Sequence, residues 1–109
     1  MAKPQYTYRA TVLRIIDADT LHLKVDAGFY ISLEIRVRLS GIDAPELSTP
    51  EGKRARDYVK SVAPPGSDVV IETAKDPTDK YGRWLARLFI GNVAVNDDLI
   101  KRGLAKPYP

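Results

Sequence analysis

Cysteine is absent from the 109-residue chain, and with it go disulfide staples, thiolate metal sites, iron–sulfur clusters and cysteine nucleophiles. Histidine occurs once, as His22, so no site here can use two imidazoles. Long apolar runs are also missing: nothing approaches the ~20 residues that a membrane-spanning helix needs. Met1 to Tyr6 lack the apolar stretch of a secretory signal, but a chain trimmed of its signal would read the same way, so the compartment stays open. Repeats and low-complexity tracts do not occur. What is present is 44% hydrophobic and 28% charged, an ordinary globular mix of a length that fits one domain. Seventeen Lys and Arg against fourteen Asp and Glu leave a net charge of +3, a mild basic bias that suits an anionic partner without demanding one.

Alternation marks the first half as strands. Leu21, Leu23 and Val25 alternate with His22, Lys24 and Asp26, and a second alternation runs from Ile31 to Leu39 with Ser32, Glu34, Arg36 and Arg38 on its polar face. Ala27-Gly28 between them predicts a hairpin turn. Tyr6 to Ile16, rich in β-branched and aromatic residues, predicts an earlier strand closed by Asp17-Ala18-Asp19. A helix follows. Thr49 with Pro50, or Ser48 with Glu51, can cap its start; Ala55, Tyr58, Val59 and Val62 recur at helical spacing, and Pro64-Pro65-Gly66 ends it. Asp68 to Ala74 and Trp84 to Ile90 predict two more strands around the turn-rich Asp76 to Asp79. The last helix starts at Asn96, with Asp97 and Asp98 in its first turn, Lys101 and Arg102 in its last, and Gly103 just beyond. The order β-β-β-α-β-β-α predicts an α+β, mainly β fold: an OB-fold five-stranded barrel with a helix between strands three and four and a C-terminal helix. Residues 6–109 form the single domain, and 1–5 are expected to be a flexible N-terminus.

Carboxylates and arginines gather at strand ends, where loops meet a rigid scaffold. Asp17 and Asp19 flank the first turn, and Asp43 and Glu46 lie just past the third strand. A meander brings that turn and that strand end to the same end of the sheet, where Asp19 and Asp43 can converge on one hard cation. Without cysteine and with one histidine, an all-oxygen site points to Ca²⁺ or Mg²⁺; the alternative is that these aspartates serve turn chemistry alone. Arg38 ends the third strand on its polar face, and Arg83 opens the fifth. Guanidinium forks match phosphate oxygens and stabilise charge in phosphoryl transfer, though by pattern alone both read more simply as solvated surface residues. His22 reads as exposed, Trp84 and Phe89 as core, and Lys53, Arg54, Arg56 and Lys60 as a solvated basic helix face.

Four separated stretches then converge: Ile15-Ile16-Asp17-Ala18-Asp19-Thr20, Arg38-Leu39-Ser40-Gly41-Ile42-Asp43-Ala44-Pro45-Glu46, Asp79-Lys80-Tyr81-Gly82-Arg83, and Val95 to Ala105. With these motifs the chain resembles the staphylococcal nuclease (thermonuclease) family over nearly its whole length. The resemblance implies Ca²⁺-dependent hydrolysis of phosphodiester bonds in DNA and RNA, giving 3′-phosphate products. It implies Asp19, Asp43 and the main-chain carbonyl of Ala44 as calcium ligands, and Glu46 as the residue that orients or deprotonates the attacking water. Arg38 and Arg83 would bind the phosphate, Asp17 and Thr20 would hold the metal loop, and Lys80 and Tyr81 would contact a terminal phosphate and the adjacent nucleotide. Ala18 stands where the family usually has glycine, so this turn must avoid the left-handed conformation or bear strain. Tyr108 comes near, but not at, the spacing of the tyrosines that line the family's nucleotide pocket.

The implied enzyme acts as a monomer on single-stranded or locally opened DNA and RNA, away from membranes. Its rivals are a non-catalytic staphylococcal-nuclease-like nucleic-acid-binding module and an OB-fold single-strand binder with a vestigial site. The complete set of Asp19, Arg38, Asp43, Glu46 and Arg83 favours the enzyme.

Overall fold

A computed structural model describes residues 6–73 and 83–108. In chain order the elements are β1 (Thr7–Asp17), β2 (Thr20–Gly28), β3 (Ile31–Leu39), β4 (Ile42–Asp43), α1 (Pro50–Val62), β5 (Asp68–Glu72), β6 (Trp84–Ile90), β7 (Val93–Ala94), α2 (Val95–Lys101) and β8 (Lys106–Pro107). The first three strands form the expected meander, and β1 uses its other edge to pair antiparallel with β5, which pairs with β6. Closure comes from a short parallel ladder in which Val37, Arg38 and Leu39 of β3 face Trp84, Leu85 and Ala86 of β6. The result is the closed five-stranded OB-type barrel that the element order predicts.

Inward-facing residues of the alternating strands build the core. Val12, Leu21, Leu23, Val37, Leu39, Ile71 and Leu88 are essentially fully buried, and Ala55 and Val59 of α1 join them with Val95 and Leu99 of α2. Thr49 caps α1, its hydroxyl oxygen accepting the Gly52 N–H at 3.0 Å, and Pro50 takes the first helical position. Gly103 at φ 71° ends α2, as expected of a C′ glycine, while Leu104 N–H bonds the Leu99 carbonyl.

Several expectations need correction. The β2–β3 turn is not at Ala27-Gly28 but at Phe29-Tyr30, because Gly28 still pairs with Ile31. A two-residue turn between twisted strands needs left-handed backbone, and Phe29 and Tyr30 adopt it at φ 54° and 62° without a glycine, both fully exposed. Trp84 is not core: it lies at the open end of β6 and stays 37% exposed. Helix α2 starts at Val95, with no side-chain cap at Ala94. The two-residue strands β4, β7 and β8 are too short to leave a periodic signal in the sequence. The expected reach of the fourth strand to Ala74, and the expected flexible 1–5, fall outside the described residues.

Asn96 is buried and has a different task from capping. Its amide nitrogen donates to the carbonyls of Ser40 (2.8 Å) and Ala86 (3.1 Å), and its oxygen accepts from Leu88 N–H (3.0 Å). One side chain thereby ties the helix to the strand seam that closes the barrel. Asn96→Ala strands those groups in the interior and is expected to lower the unfolding free energy by about 3 kcal/mol, read as an earlier urea midpoint at unchanged m-value. A midpoint shift worth less than about 0.5 kcal/mol would remove that role.

Candidate active site

Asp17 and Thr20 close β1 against β2 with Ala18 and Asp19 between them. Asp17 Oδ1 accepts the Asp19 N–H at 3.2 Å, the local bond that Asp favours in turns. Phe29 and Tyr30 are the non-glycine residues at positive φ among those described, so Ala18 avoids the left-handed region; it is buried instead.

Asp19 is only 6% exposed, and a buried carboxylate must be compensated. Its Oδ2 accepts from Arg38 Nη1 at 2.8 Å and from the Ala44 N–H at 3.1 Å, and its Oδ1 accepts from the Thr20 hydroxyl at 3.2 Å. The second prong of Arg38 donates to the Ile42 carbonyl at 3.1 Å and lies 3.6 Å from Asp43 Oδ1. Arg83 donates to the Thr20 hydroxyl oxygen at 2.9 Å. A continuous polar chain therefore runs Arg83–Thr20–Asp19–Arg38–Asp43 and joins residues up to 64 positions apart. The ring of Tyr108 lies 5.4 Å from the Arg38 guanidinium carbon and steadies its plane. Tyr108 is placed there by β8, whose pairing with β4 and the Tyr108 N–H bond to Gly41 no sequence pattern announces.

Glu46 is exposed, and its carboxylate has no partner among the described residues. Its backbone is held firmly. The Glu46 carbonyl accepts from both the N–H and the hydroxyl of Thr49, at 2.9 and 2.6 Å. Gly52 presses so closely on it that a Cβ there would overlap the Glu46 and Pro45 carbonyl oxygens. The first turn of α1 thus clamps this residue from behind, a role for Gly52 that composition does not reveal. Lys80 and Tyr81 lie outside the described residues.

Charge explains the local electrostatics. Burial, then a shared proton with Asp19 and repulsion from it, pushes the Asp17 carboxyl up to about 6. Burial also opposes the charge on Asp19, but hydrogen bonds from Asp17, Ala44 and Arg38 outweigh it and hold Asp19 below its ordinary value. Burial works against the Arg38 charge too, yet Asp19 and Asp43 raise its affinity for the proton above normal.

Two crowded aspartates on one turn and a third reached through Arg38 form an oxygen-only, electron-rich corner whose chemistry fits a hard cation. Among the described residues no three acidic or histidine side chains cluster as a metal cage. A cation held by Asp19 and Asp43 would then keep most of its coordination for water and substrate.

Residues 36–109 match the family model described as Staphylococcal nuclease homologue. The chain belongs to the staphylococcal nuclease family. It is 37% identical over 106 residues to the thermonuclease of Staphylococcus intermedius, an alignment covering 90% of this chain and 60% of that protein. Endonuclease YhcR of Bacillus subtilis is 33% identical over 113 residues, covering 93% of this chain and 9% of that protein. Staphylococcal-like nuclease CAN1 of Arabidopsis thaliana is 33% identical over 103 residues, 84% of this chain and 31% of its own length. The chain spans 60% or less of each of these curated relatives.

In this family member the Asp17 shift has a stability consequence. Its carboxyl moves from 3.8 to about 6 on folding, so the penalty is absent below 3.8 and complete above 6. The unscreened shift is equivalent to about 3 kcal/mol; with the group partly exposed, about 1 kcal/mol is expected. Asp17→Asn should therefore stabilise the chelator-treated protein at pH 7.5, and the gain should fade as pH falls from 6 to 4. Thermal melts across that range check it, and a gain that grows toward pH 4 contradicts it.

Proposed function

We propose that this chain is a calcium-dependent nuclease that hydrolyses phosphodiester bonds of DNA and RNA and leaves 3′-phosphates. The single observation that carries the reading is Arg38, held between the buried Asp19 and the exposed Asp43 while Thr20 links Asp19 to Arg83. Two preorganised guanidinium groups beside a carboxylate corner can bind a phosphodiester and stabilise the charge that grows on it. Among the described residues no helix is long and apolar enough to cross a membrane. The proposed substrate is single-stranded or locally opened nucleic acid, and the proposed acting species is a monomer.

Each side chain has a task. Arg38 and Arg83 offer forked donors to the non-bridging phosphate oxygens. Thr20 keeps Arg83 oriented and helps to satisfy Asp19. Glu46, clamped through its backbone by Thr49 and Gly52, presents an exposed carboxylate that orients or deprotonates the attacking water. Asp19 and Asp43, with the Ala44 carbonyl, would hold calcium, and Asp17 would brace their turn. Bound calcium supplies Lewis-acid polarisation of the phosphate and neutralises its charge. Lys80 and Tyr81 are assigned the terminal phosphate and the neighbouring nucleotide. The complete set of ionisable groups favours the enzyme over a binding-only module of the same family.

The direct test is release of acid-soluble nucleotides from denatured DNA. Activity is expected with Ca²⁺, little with Mg²⁺, and none in excess chelator, because a site with two carboxylates tolerates the roomier calcium sphere. Full hydrolysis in chelator would overturn the calcium reading, and inactivity under every condition would leave the binding module. Two substitutions separate the assigned roles. Arg38→Lys keeps the charge but loses the fork and is expected to cost on the order of 10²-fold in turnover. Glu46→Gln removes the base and is expected to cost ~10²- to 10⁴-fold, with oligonucleotide binding little changed. Turnover within about threefold of the parent in either variant removes that residue's assigned role.

A further inference from the structure

Three side chains stand in one row across the outer face of the barrel. Arg14 of β1 is the cross-strand partner of His22 on β2, and His22 is the partner of Arg36 on β3. Plain alternation would not put Arg14 there, since Val12 faces the core and Arg14 lies two residues on. The register shift between Val12 and Arg14 makes the difference. It leaves both Leu13 and Arg14 exposed and returns Ile15 to the core. A bulge has thus re-aimed one arginine so that it completes a row.

The row opens onto the site described above. Arg36 lines a cleft of about 490 Å³ together with Ile16, Asp17, Thr20 and Arg83. It also shares a strand face with Arg38, roughly 7 Å further along β3. Arg14 and Arg36 leave the sheet about two strand spacings apart, ~10 Å. Among the described residues neither has a carboxylate partner; Glu34 stands 3.9 Å from His22 instead. Exposed guanidinium groups at this spacing can follow a chain of phosphates and cannot read base edges from there.

We propose that Arg14, His22 and Arg36 form a track for the sugar-phosphate backbone of a single-stranded polynucleotide, leading it into the cleft beside Arg38 and Arg83. The proposal rests on the nuclease reading and adds that the enzyme grips several phosphates of a polymer, independently of base sequence.

The test is equilibrium binding of a fluorescent oligothymidylate to the full chain in chelator, measured from low to high salt. Each phosphate contact to a single strand contributes about 0.7 to the slope of log affinity against log salt. The double variant Arg14→Gln, Arg36→Gln is expected to flatten that slope by about 1.4. Lys60→Gln with Lys101→Gln removes the same net charge from the exposed faces of the two helices and is expected to leave the slope as it was. In calcium, the arginine pair should raise KM for denatured DNA by a larger factor than it lowers kcat. An unchanged slope overturns the track, and so does equal flattening in the lysine pair, which would mean diffuse attraction. Binding needs no turnover, so the two readings fail separately. A flattened slope in a chain that cleaves nothing keeps the track and removes the nuclease, while cleavage with an unchanged slope does the reverse.

Discussion

Three residues of parallel ladder between β3 and β6 decide the layout of this molecule. Among the described residues the other pairings in the barrel are antiparallel, and this seam turns a curved sheet into a closed one. A three-residue parallel contact is a weak closure by itself. It is reinforced where it ends: Ser40 N–H bonds the Ala86 carbonyl at 2.9 Å, and the Asn96 amide spans Ser40, Ala86 and Leu88. Because Arg38 lies within the ladder and Arg83 immediately before it, the seam that closes the core also brings the two arginines to one place.

The candidate site opposes stability in a way that suits the phosphodiester chemistry proposed for it. Asp17 and Asp19 sit on one turn with most of their water removed, and the fold tolerates this by directing Arg38, Thr20 and the Ala44 amide onto Asp19. Asp17 is left with a raised affinity for its proton. Groups held in this geometry before substrate arrives need no reorganisation when charge develops. Glu46 differs from them: among the described residues its carboxylate is unengaged, while its backbone is immobilised by Thr49 and by the missing Cβ of Gly52. Rigid support behind an exposed acid suits the water-handling role proposed for it.

Much of this was legible beforehand. Period-two alternation identified β2 and β3, Thr49 and Pro50 marked the start of α1, and Gly103 marked the end of α2, because each reports a local backbone need. The four motifs identified the family, since their order and intervals are written in the chain. Local patterns failed where another part of the fold decided the outcome. Trp84 reads as core because its type is usually buried, but as the first residue of β6 it stays partly exposed. Asn96 reads as the start of a helix, but its amide is taken up by the seam. The turn at Phe29-Tyr30 carries none of the usual residues for left-handed backbone; register with β3 imposes it.

By itself, then, the sequence determined the strand-and-helix order, the barrel class, the family, and the acidic and basic residues that chemistry would need. Those depend on side-chain periodicity, capping and motif spacing, all of which act over a few residues. Tertiary structure alone decided which of those charges meet. It buried Asp19 under Arg38, set Tyr108 against that guanidinium, fitted Gly52 behind Glu46, and used a bulge to align Arg14 with Arg36. Each of these contacts joins distant segments through closure of the barrel, and no local spacing encodes a distance between residues that only closure makes neighbours.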